Sequence, residues 1–139
     1  DAMAALSAVA MKRFLDNYPT ITPVAQIESL VTSCRKLLPD DGHLNFNSPA
    51  VDLVRWVRAY TPAPGCWALA DKERMRILSL SPVYDAPPLT IGQVLVLNGR
   101  LLIGCSDGAC AINRLQSAGK RAMDVADYIN GHQPPAQLT

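Results

Sequence analysis

Residues 92–115 read GQVLVLNGRLLIGCSDGACAINRL, and this stretch decides the fold. It holds three short apolar runs, punctuated first by Asn98-Gly99 and then by Ser106-Asp107-Gly108. Asn-Gly between apolar runs is the strongest short-range hairpin signal, because a type I′ turn needs two successive residues that tolerate positive φ. The stretch therefore predicts three consecutive strands joined by tight turns, over residues 92–97, 100–105 and 109–115.

Two more β-like runs precede this stretch, at residues 66–70 and 74–80, and Asp71-Lys72-Glu73 separates them as a turn. Five short strands at such spacing favour a small closed or half-closed barrel. The predicted fold class is therefore mainly β, with flanking helices.

The N-terminal third of the chain predicts a helix followed by a linker. Apolar residues recur at three- and four-residue steps from Asp1 to about Tyr18, and Pro19 stops the pattern. Residues 19–47 have only weak periodicity, with a turn cluster at 39–42, and we interpret them as an extended linker. The predicted domain division places this helix and linker in residues 1–47 and the barrel domain in residues 48–139.

Two further helices flank the barrel. Ser48-Pro49 predicts a helix start, with Ser48 as N-cap and Pro49 at the first helical position, and the helix ends before Pro62. Asp124 predicts the cap of a short C-terminal helix, with Gly131 as its stop. The Pro134-Pro135 tail is expected to be loose.

Composition limits the classes of protein and partner. A chain of 139 residues with a net charge of +1 is not a strongly basic nucleic-acid binder, so any contact with RNA needs a local patch or a partner domain. No segment is long enough for a membrane helix. The four cysteines lack C-x-x-C spacing, which favours reduced, mostly buried thiols in an intracellular protein over disulfides or a metal site, although Cys105 and Cys110 could face each other across a hairpin.

Motifs that carry catalysis are lacking in the sequence. It has no Gly-rich phosphate loop, no H-E-x-x-H and no G-x-S-x-G. Asp40-Asp41 lies in a turn next to Gly42, and Ser106-Asp107-Gly108 has no His near it in sequence. We therefore expect no catalytic residue, no metal and no cofactor in this chain by itself.

The cations are more informative in placement than in number. Arg74 and Arg76 alternate on one predicted strand and so point to one side of it. If the barrel brings the cations together they would follow phosphates, with Trp56, Tyr60 and Trp67 as possible stacking platforms. The alternative is an ordinary solvated surface over a core that contains Trp67. The candidate RNA-binding residues are Arg35, Lys36, Arg55, Arg58, Arg114, Lys120 and Arg121.

Two motifs, at residues 58–67 and 115–123, resemble motifs that occur in the same order in the C-terminal domain of methionyl-tRNA formyltransferases. Residues 58–67, RAYTPAPGCW, resemble the family's Arg-Ala-Phe-x-Pro-x-Pro-Gly-Ala-Trp, with Tyr60 and Cys66 as departures. Residues 115–123, LQSAGKRAM, match its Leu-Gln-x-Ala-Gly-Lys-x-x-Met, and 104–108 resemble its Cys-Gly-Asp-Gly. The linker has Arg35-Lys36 at the family's basic stretch, although it contains fewer lysines than usual.

The resemblance implies an OB-like Greek-key barrel that helps hold initiator methionyl-tRNA. It also implies that an N-terminal domain, whose catalytic Asn, His and Asp have no counterpart here, transfers formyl from 10-formyltetrahydrofolate. By that likeness residues 1–47 are the edge helix of the catalytic domain plus a linker. The compartment would be the cytoplasm of a bacterium or the mitochondrion of a eukaryote.

The same C-terminal domain also occurs in other folate-dependent proteins, which leaves two alternatives. In sugar-nucleotide formyltransferases and 10-formyltetrahydrofolate dehydrogenases or hydrolases it would be a structural module without an RNA role. A third interpretation is a free-standing interaction module.

Overall fold

The computed structural model describes residues 2–139, which divide into two compact units, 1–35 and 36–139. In the first unit, helix α1 spans Ala2–Asn17, and two single 3₁₀ turns follow at Tyr18–Thr20 and Glu28–Leu30. The helix is confirmed from Ala2 onward, while its predicted first residue, Asp1, lies outside the described residues. Every described side chain of this unit is exposed, including the apolar ones that recur along α1.

The second unit is an antiparallel six-stranded sheet with two helices. The elements are α2 (Ala50–Tyr60), β1 (Cys66–Ala70), β2 (Glu73–Val83), β3 (Val94–Leu97), β4 (Arg100–Cys105), β5 (Gly108–Gln116), β6 (Met123–Asp124) and α3 (Val125–Gly131). Strand order is β1-β2-β5-β4-β3, and β6 pairs with β5, so β5 returns to lie beside β2 after the β3–β4 hairpin. This confirms the predicted mainly β fold with a helix before it and a short helix after it.

The β3–β4 hairpin has the turn that the sequence predicts. Leu97 pairs with Arg100, so Asn98 and Gly99 form a two-residue loop, and their φ angles are 51° and 73°. Both residues therefore adopt the left-handed conformation of a type I′ turn. The β4–β5 turn at 106–107 is likewise a two-residue connection, since Cys105 pairs with Gly108.

The C-terminal segment closes the barrel, so the expectation of a loose tail is wrong. Backbone hydrogen bonds join Leu69 of β1 to Thr139, and Gly92 and Val94 to Leu138 and Ala136. The segment therefore lies between the two edge strands β1 and β3, and it satisfies edge groups that would otherwise be unpaired. Leu138 is only 1% exposed and belongs to the main core. The tail is held because an extended backbone can pair with two edges, which the Pro-rich composition conceals.

Helix α2 is capped from a distant part of the chain, so the predicted Ser48 cap is wrong. Pro49, not Ser48, occupies the N-cap position, and proline has no side-chain oxygen that could accept a hydrogen bond. Instead, the Ala50 N–H donates to the Asp107 carboxylate at 2.8 Å. The β4–β5 turn thus supplies the acceptor that the start of the helix lacks.

Helix α3 begins as predicted, with Asp124 at its N-cap position. Gly131 is the last helical residue rather than a left-handed stop beyond the helix end, and the Asp124 side chain makes no capping hydrogen bond. That carboxylate lies 3.8 Å from the Arg114 guanidinium of the neighbouring strand. Asp124 thus marks the start of the helix without capping it through its side chain.

The core of the second unit is apolar. It is formed by inward-facing residues of α2, β1, β2, β4 and β5. Leu44 and Phe46, from the segment before α2, are buried in the same core. Among the described residues no polar or charged side chain is buried. Polar and charged side chains of the barrel are therefore found at its surface and not in its core.

Candidate nucleic-acid interface

The turn after β5 carries the best of the predicted cations. The Lys120 N–H donates to the Ser117 carbonyl at 3.1 Å, and the Gln116 side-chain amide donates to the Lys120 carbonyl at 2.8 Å. Gly119 has a φ of 68°, a backbone conformation that residues other than glycine rarely adopt. The turn thus presents Lys120 and Arg121 with exposed side chains, and neither makes an ion pair among the described residues.

Trp67, on β1, is half-buried rather than part of the core, which corrects the expectation for this residue. Its indole stacks on the His43 ring at 4.2 Å with an interplanar angle of 7°, and the Arg74 guanidinium lies 4.0 Å from its ring centroid. The indole N–H donates to the Pro39 carbonyl at 3.0 Å. Because Trp67 already has these partners, it fastens the segment before α2 to the barrel and is not a free platform for a base.

Arg74 and Arg76, both on β2, do line one cleft, as their alternation predicts. Arg74 pairs with Asp40 at 3.0 Å, so its charge is already compensated. Arg76 pairs in the strand register with Gln116, next to the turn that carries Lys120. Arg76 is absent from the candidate residues that the sequence supplied, although its alternation with Arg74 was the signal that could have added it.

The remaining predicted cations lie in three places. Arg55 and Arg58 are exposed on α2, and Arg55 pairs with Asp52 at 3.1 Å. Arg114 is exposed on β5 and faces Asp124. Arg35 and Lys36 are exposed at the junction of the two units, with Arg35 in the first and Lys36 in the second. Lys120 and Arg121 therefore lie on the β5–β6 connection, while Arg114 lies on the strand that leads into it.

The aromatic residues of α2 do not make an open stacking surface either. Tyr60 packs against the core, and the Trp56 ring, 40% exposed, lies 5.8 Å from it at a tilt of 41°. Contacts at this basic surface would therefore come mainly from cations and backbone N–H groups, which bind phosphates rather than read bases.

The cysteines form no disulfide among the described residues, and three of the four are buried. Burial raises the pKa of the Cys66 thiol to about 11. The Cys110 thiol donates to the Ala50 carbonyl and the Cys105 thiol to the Ile103 carbonyl, each at 3.5 Å. The interaction between the two neighbouring thiols lowers the pKa of Cys105 and, together with burial, raises the pKa of Cys110. Cys34 alone is exposed.

Residues 2–139 contain neither a metal-binding cluster nor a membrane-spanning helix. No group of three or more His, Cys, Asp or Glu side chains is arranged to hold a metal ion. Among the same residues no helix has the length and apolarity needed to cross a bilayer.

The fold is a small antiparallel β-barrel domain, and the turn after β5 carries two exposed cations. A model of the family described as formyl transferase, C-terminal domain, matches residues 36–133. The chain is 36% identical to a methionyl-tRNA formyltransferase of Rhizorhabdus wittichii over 136 residues, and 34% identical to one of Thermobifida fusca over 111 residues. The chain belongs to the formyl transferase C-terminal domain family.

The matched regions cover 98% and 80% of this chain but only 44% and 36% of those two relatives. The chain therefore spans less than half the length of the curated relatives that it matches.

Solved structures share the fold at low sequence identity. A HypX variant from Aquifex aeolicus superposes with a TM-score of 0.66 at 19% identity, covering 89% of this chain and 23% of that one. HypX in complex with tetrahydrofolic acid gives a TM-score of 0.63 at 20% identity, covering 84% and 21%. These similarities concern the architecture of the barrel.

Proposed function

We propose that this chain is the non-catalytic C-terminal part of a methionyl-tRNA formyltransferase. It helps to bind initiator methionyl-tRNA, whose amino group a catalytic N-terminal domain formylates from 10-formyltetrahydrofolate at translation initiation. The names of the relatives supply the enzyme and its RNA. The folate is carried over from the family resemblance, and a structural neighbour, HypX, was solved in complex with tetrahydrofolic acid. We place the folate site outside this chain.

The observation that carries the RNA role is the exposed Lys120-Arg121 pair, which makes no ion pair within residues 2–139 and follows a turn of small residues. Small residues and the left-handed Gly119 precede it, so a backbone phosphate can come close to the ammonium and guanidinium groups. Arg58 and Arg114 extend the same role along the barrel, together with Arg55, Arg35 and Lys36. A net charge near zero makes the contact weak by itself, which suits a domain that acts beside a catalytic one.

The partner of the first unit is the catalytic domain. Helix α1 exposes six large apolar side chains between Met3 and Leu15, each at least 43% accessible. Apolar surface of this extent is stable in water only when another surface covers it. We assign α1 to the edge of the N-terminal catalytic domain and the segment after it to the linker, with the cytoplasm of a bacterium as the compartment.

The test is the salt dependence of binding to initiator tRNA, measured by filter binding with the full 139-residue chain. Each lost phosphate contact lowers the slope of log K against log salt by about one unit. The double variant Lys120→Ala, Arg121→Ala should therefore lower the slope by about two units and weaken binding at low salt.

The matched control removes the same net charge from helix α1, by Lys12→Ala with Arg13→Ala. Because these side chains are outside the proposed interface, the slope should stay within about half a unit of the unsubstituted chain. An equal slope for all three proteins would contradict the RNA role and favour the purely architectural module.

A further inference from the structure

We propose that Arg76 is the anchor of a phosphate-binding cleft, distinct from the exposed pair on the neighbouring turn. The proposal rests on the RNA-binding role above and deepens it, since it names a built site for one phosphate group. The Arg76 cleft has a volume of about 320 Å³, and one wall is the Pro64-Gly65 turn while the other is the turn 117–119. Trp67 and Arg74 also line the cleft.

The placement of Arg76 is fixed by the backbone around it. Its Nη2 donates to the Pro62 carbonyl at 3.3 Å, and the guanidinium fits so closely against Gly65 that a Cβ there would lie 2.4 Å from Nη2. Gly65, at a φ of 87°, leaves the room that the guanidinium occupies. Such a held guanidinium loses little entropy when it binds a second partner.

The charge of Arg76 is uncompensated. Among the described residues no carboxylate lies within ion-pair distance of it, and none lines the cleft. At the rim, Arg74 pairs with Asp40 at 3.0 Å. One of the five guanidinium N–H groups of this half-buried arginine donates to Pro62, which leaves four donors. These donors can form charge-assisted hydrogen bonds with an anion.

The chemistry of the walls favours a phosphate oxyanion as the missing half. The guanidinium fork matches the spacing of phosphate oxygens, and the Ser117 side chain and the left-handed Gly119 line the opposite wall. Arg76 also lines a second, larger cleft with Asn113, Arg114 and Asp124. Because Asp124 lies 3.8 Å from Arg114, a polyanion that continued from Arg76 into this cleft would have to compete with Asp124 for Arg114. The phosphate site itself is therefore the Arg76 cleft.

The phosphate could come from an RNA backbone or from a small phosphorylated molecule, and the experiment separates the two. The ¹⁵N-labelled full chain is titrated at constant ionic strength with inorganic phosphate, with a nucleoside monophosphate and with initiator tRNA. The reporters are the Gly65 and Gly119 amides and the Trp67 indole N–H. We expect all three signals to shift, and Arg76→Gln to raise the dissociation constant about tenfold or more.

Two further variants make the result specific. Arg76→Lys keeps the charge without the fork and should bind with intermediate affinity, and it tests the site if Arg76→Gln fails to fold. Arg100→Gln is the matched control, because Arg100 pairs with Asp85 and does not line the cleft. Its titration should match that of the unsubstituted chain.

Each outcome decides between the sources or against the site. Shifts with tRNA that Arg76→Gln abolishes support an RNA phosphate, while shifts with the small phosphates but not with tRNA support a metabolite site. No shift at the three reporters with any of these ligands would overturn the Arg76 cleft. If the Lys120 and Arg121 variant still changes the tRNA salt slope in that case, the proposed function stands and the cleft alone is rejected.

Discussion

Single residues decide the turns of this protein, and Gly99 is the clearest case. Its φ of 73° lies in the left-handed region, and yet a Cβ at this position would meet nothing within 4 Å. Any cost of a side chain here is therefore conformational and not steric. Gly131 also has open space around a Cβ, but it lies in helix α3 and its φ is not positive.

These two glycines form a matched pair for a stability measurement. Gly99→Ala should lower the free energy of unfolding by about 1 kcal/mol, because an L-residue pays for the left-handed conformation. Gly131→Ala should leave it unchanged or raise it by up to about 1 kcal/mol, since alanine is a better helix former. Urea unfolding followed by tryptophan fluorescence measures both, and equal effects would contradict the type I′ turn.

The residue scale also shows where sequence reasoning stops. The Asn98-Gly99 turn and the alternation of Arg74 with Arg76 could be predicted, because both follow from local conformational preference. The pairing of Arg74 with Asp40 and the stacking of Trp67 on His43 could not, because these partners are brought together by the fold. The cleft around Arg76 was missed for the same reason.

At the scale of elements, helix α2 depends on a contact that spans 57 residues. The local sequence Ser48-Pro49 has the composition of a cap, but the acceptor for the Ala50 N–H is Asp107. The presence of helix α2 could be predicted from the periodicity of its apolar residues. The first and last residues of strands 66–70 and 100–105 were also predicted correctly. The source of the cap was not, since it requires knowing that the β4–β5 turn lies at the start of α2.

Substitutions at the two candidate caps test this assignment. Asp107→Ala should destabilise the protein by about 0.5 to 2 kcal/mol, because the N-terminal N–H group loses its acceptor. Asp107→Asn keeps a side-chain oxygen and the turn preference, so it should recover most of that loss. Ser48→Ala should have an effect within about 0.5 kcal/mol.

Thermal and urea unfolding of the three variants measure these differences. A large loss for Ser48→Ala together with a neutral Asp107→Ala would show that the helix is capped locally after all.

At the scale of the whole molecule, the barrel is completed by its last four residues. Leu138 enters the main core, while the backbone on either side of it pairs with both edge strands. Composition and a double proline pointed instead to a loose tail. Edge pairing of an extended segment leaves almost no signal in sequence, because it uses backbone groups that every residue except proline has.

Truncation of this one side chain tests the closure. Leu138→Ala should cost about 2 to 5 kcal/mol in the free energy of unfolding, as expected for a fully buried leucine. Tyr84→Ala is the control, since Tyr84 is an apolar residue that is 87% exposed, and it should change stability by less than about 0.5 kcal/mol.

Urea denaturation of both variants, with the fluorescence of Trp56 and Trp67 as the signal, reports on the second unit. A neutral Leu138→Ala would contradict a structural role of the segment.

The closing segment has a consequence for how the protein is made. Its bonds to Leu69 and Gly92 join residues about 45 to 70 positions apart, so they cannot form until residue 139 has left the ribosome. Until then the edges of β1 and β3 have unpaired backbone N–H and C=O groups, with which another nascent chain can form hydrogen bonds. Wrong edge pairing is therefore most favoured in the interval before residues 136–139 join the sheet.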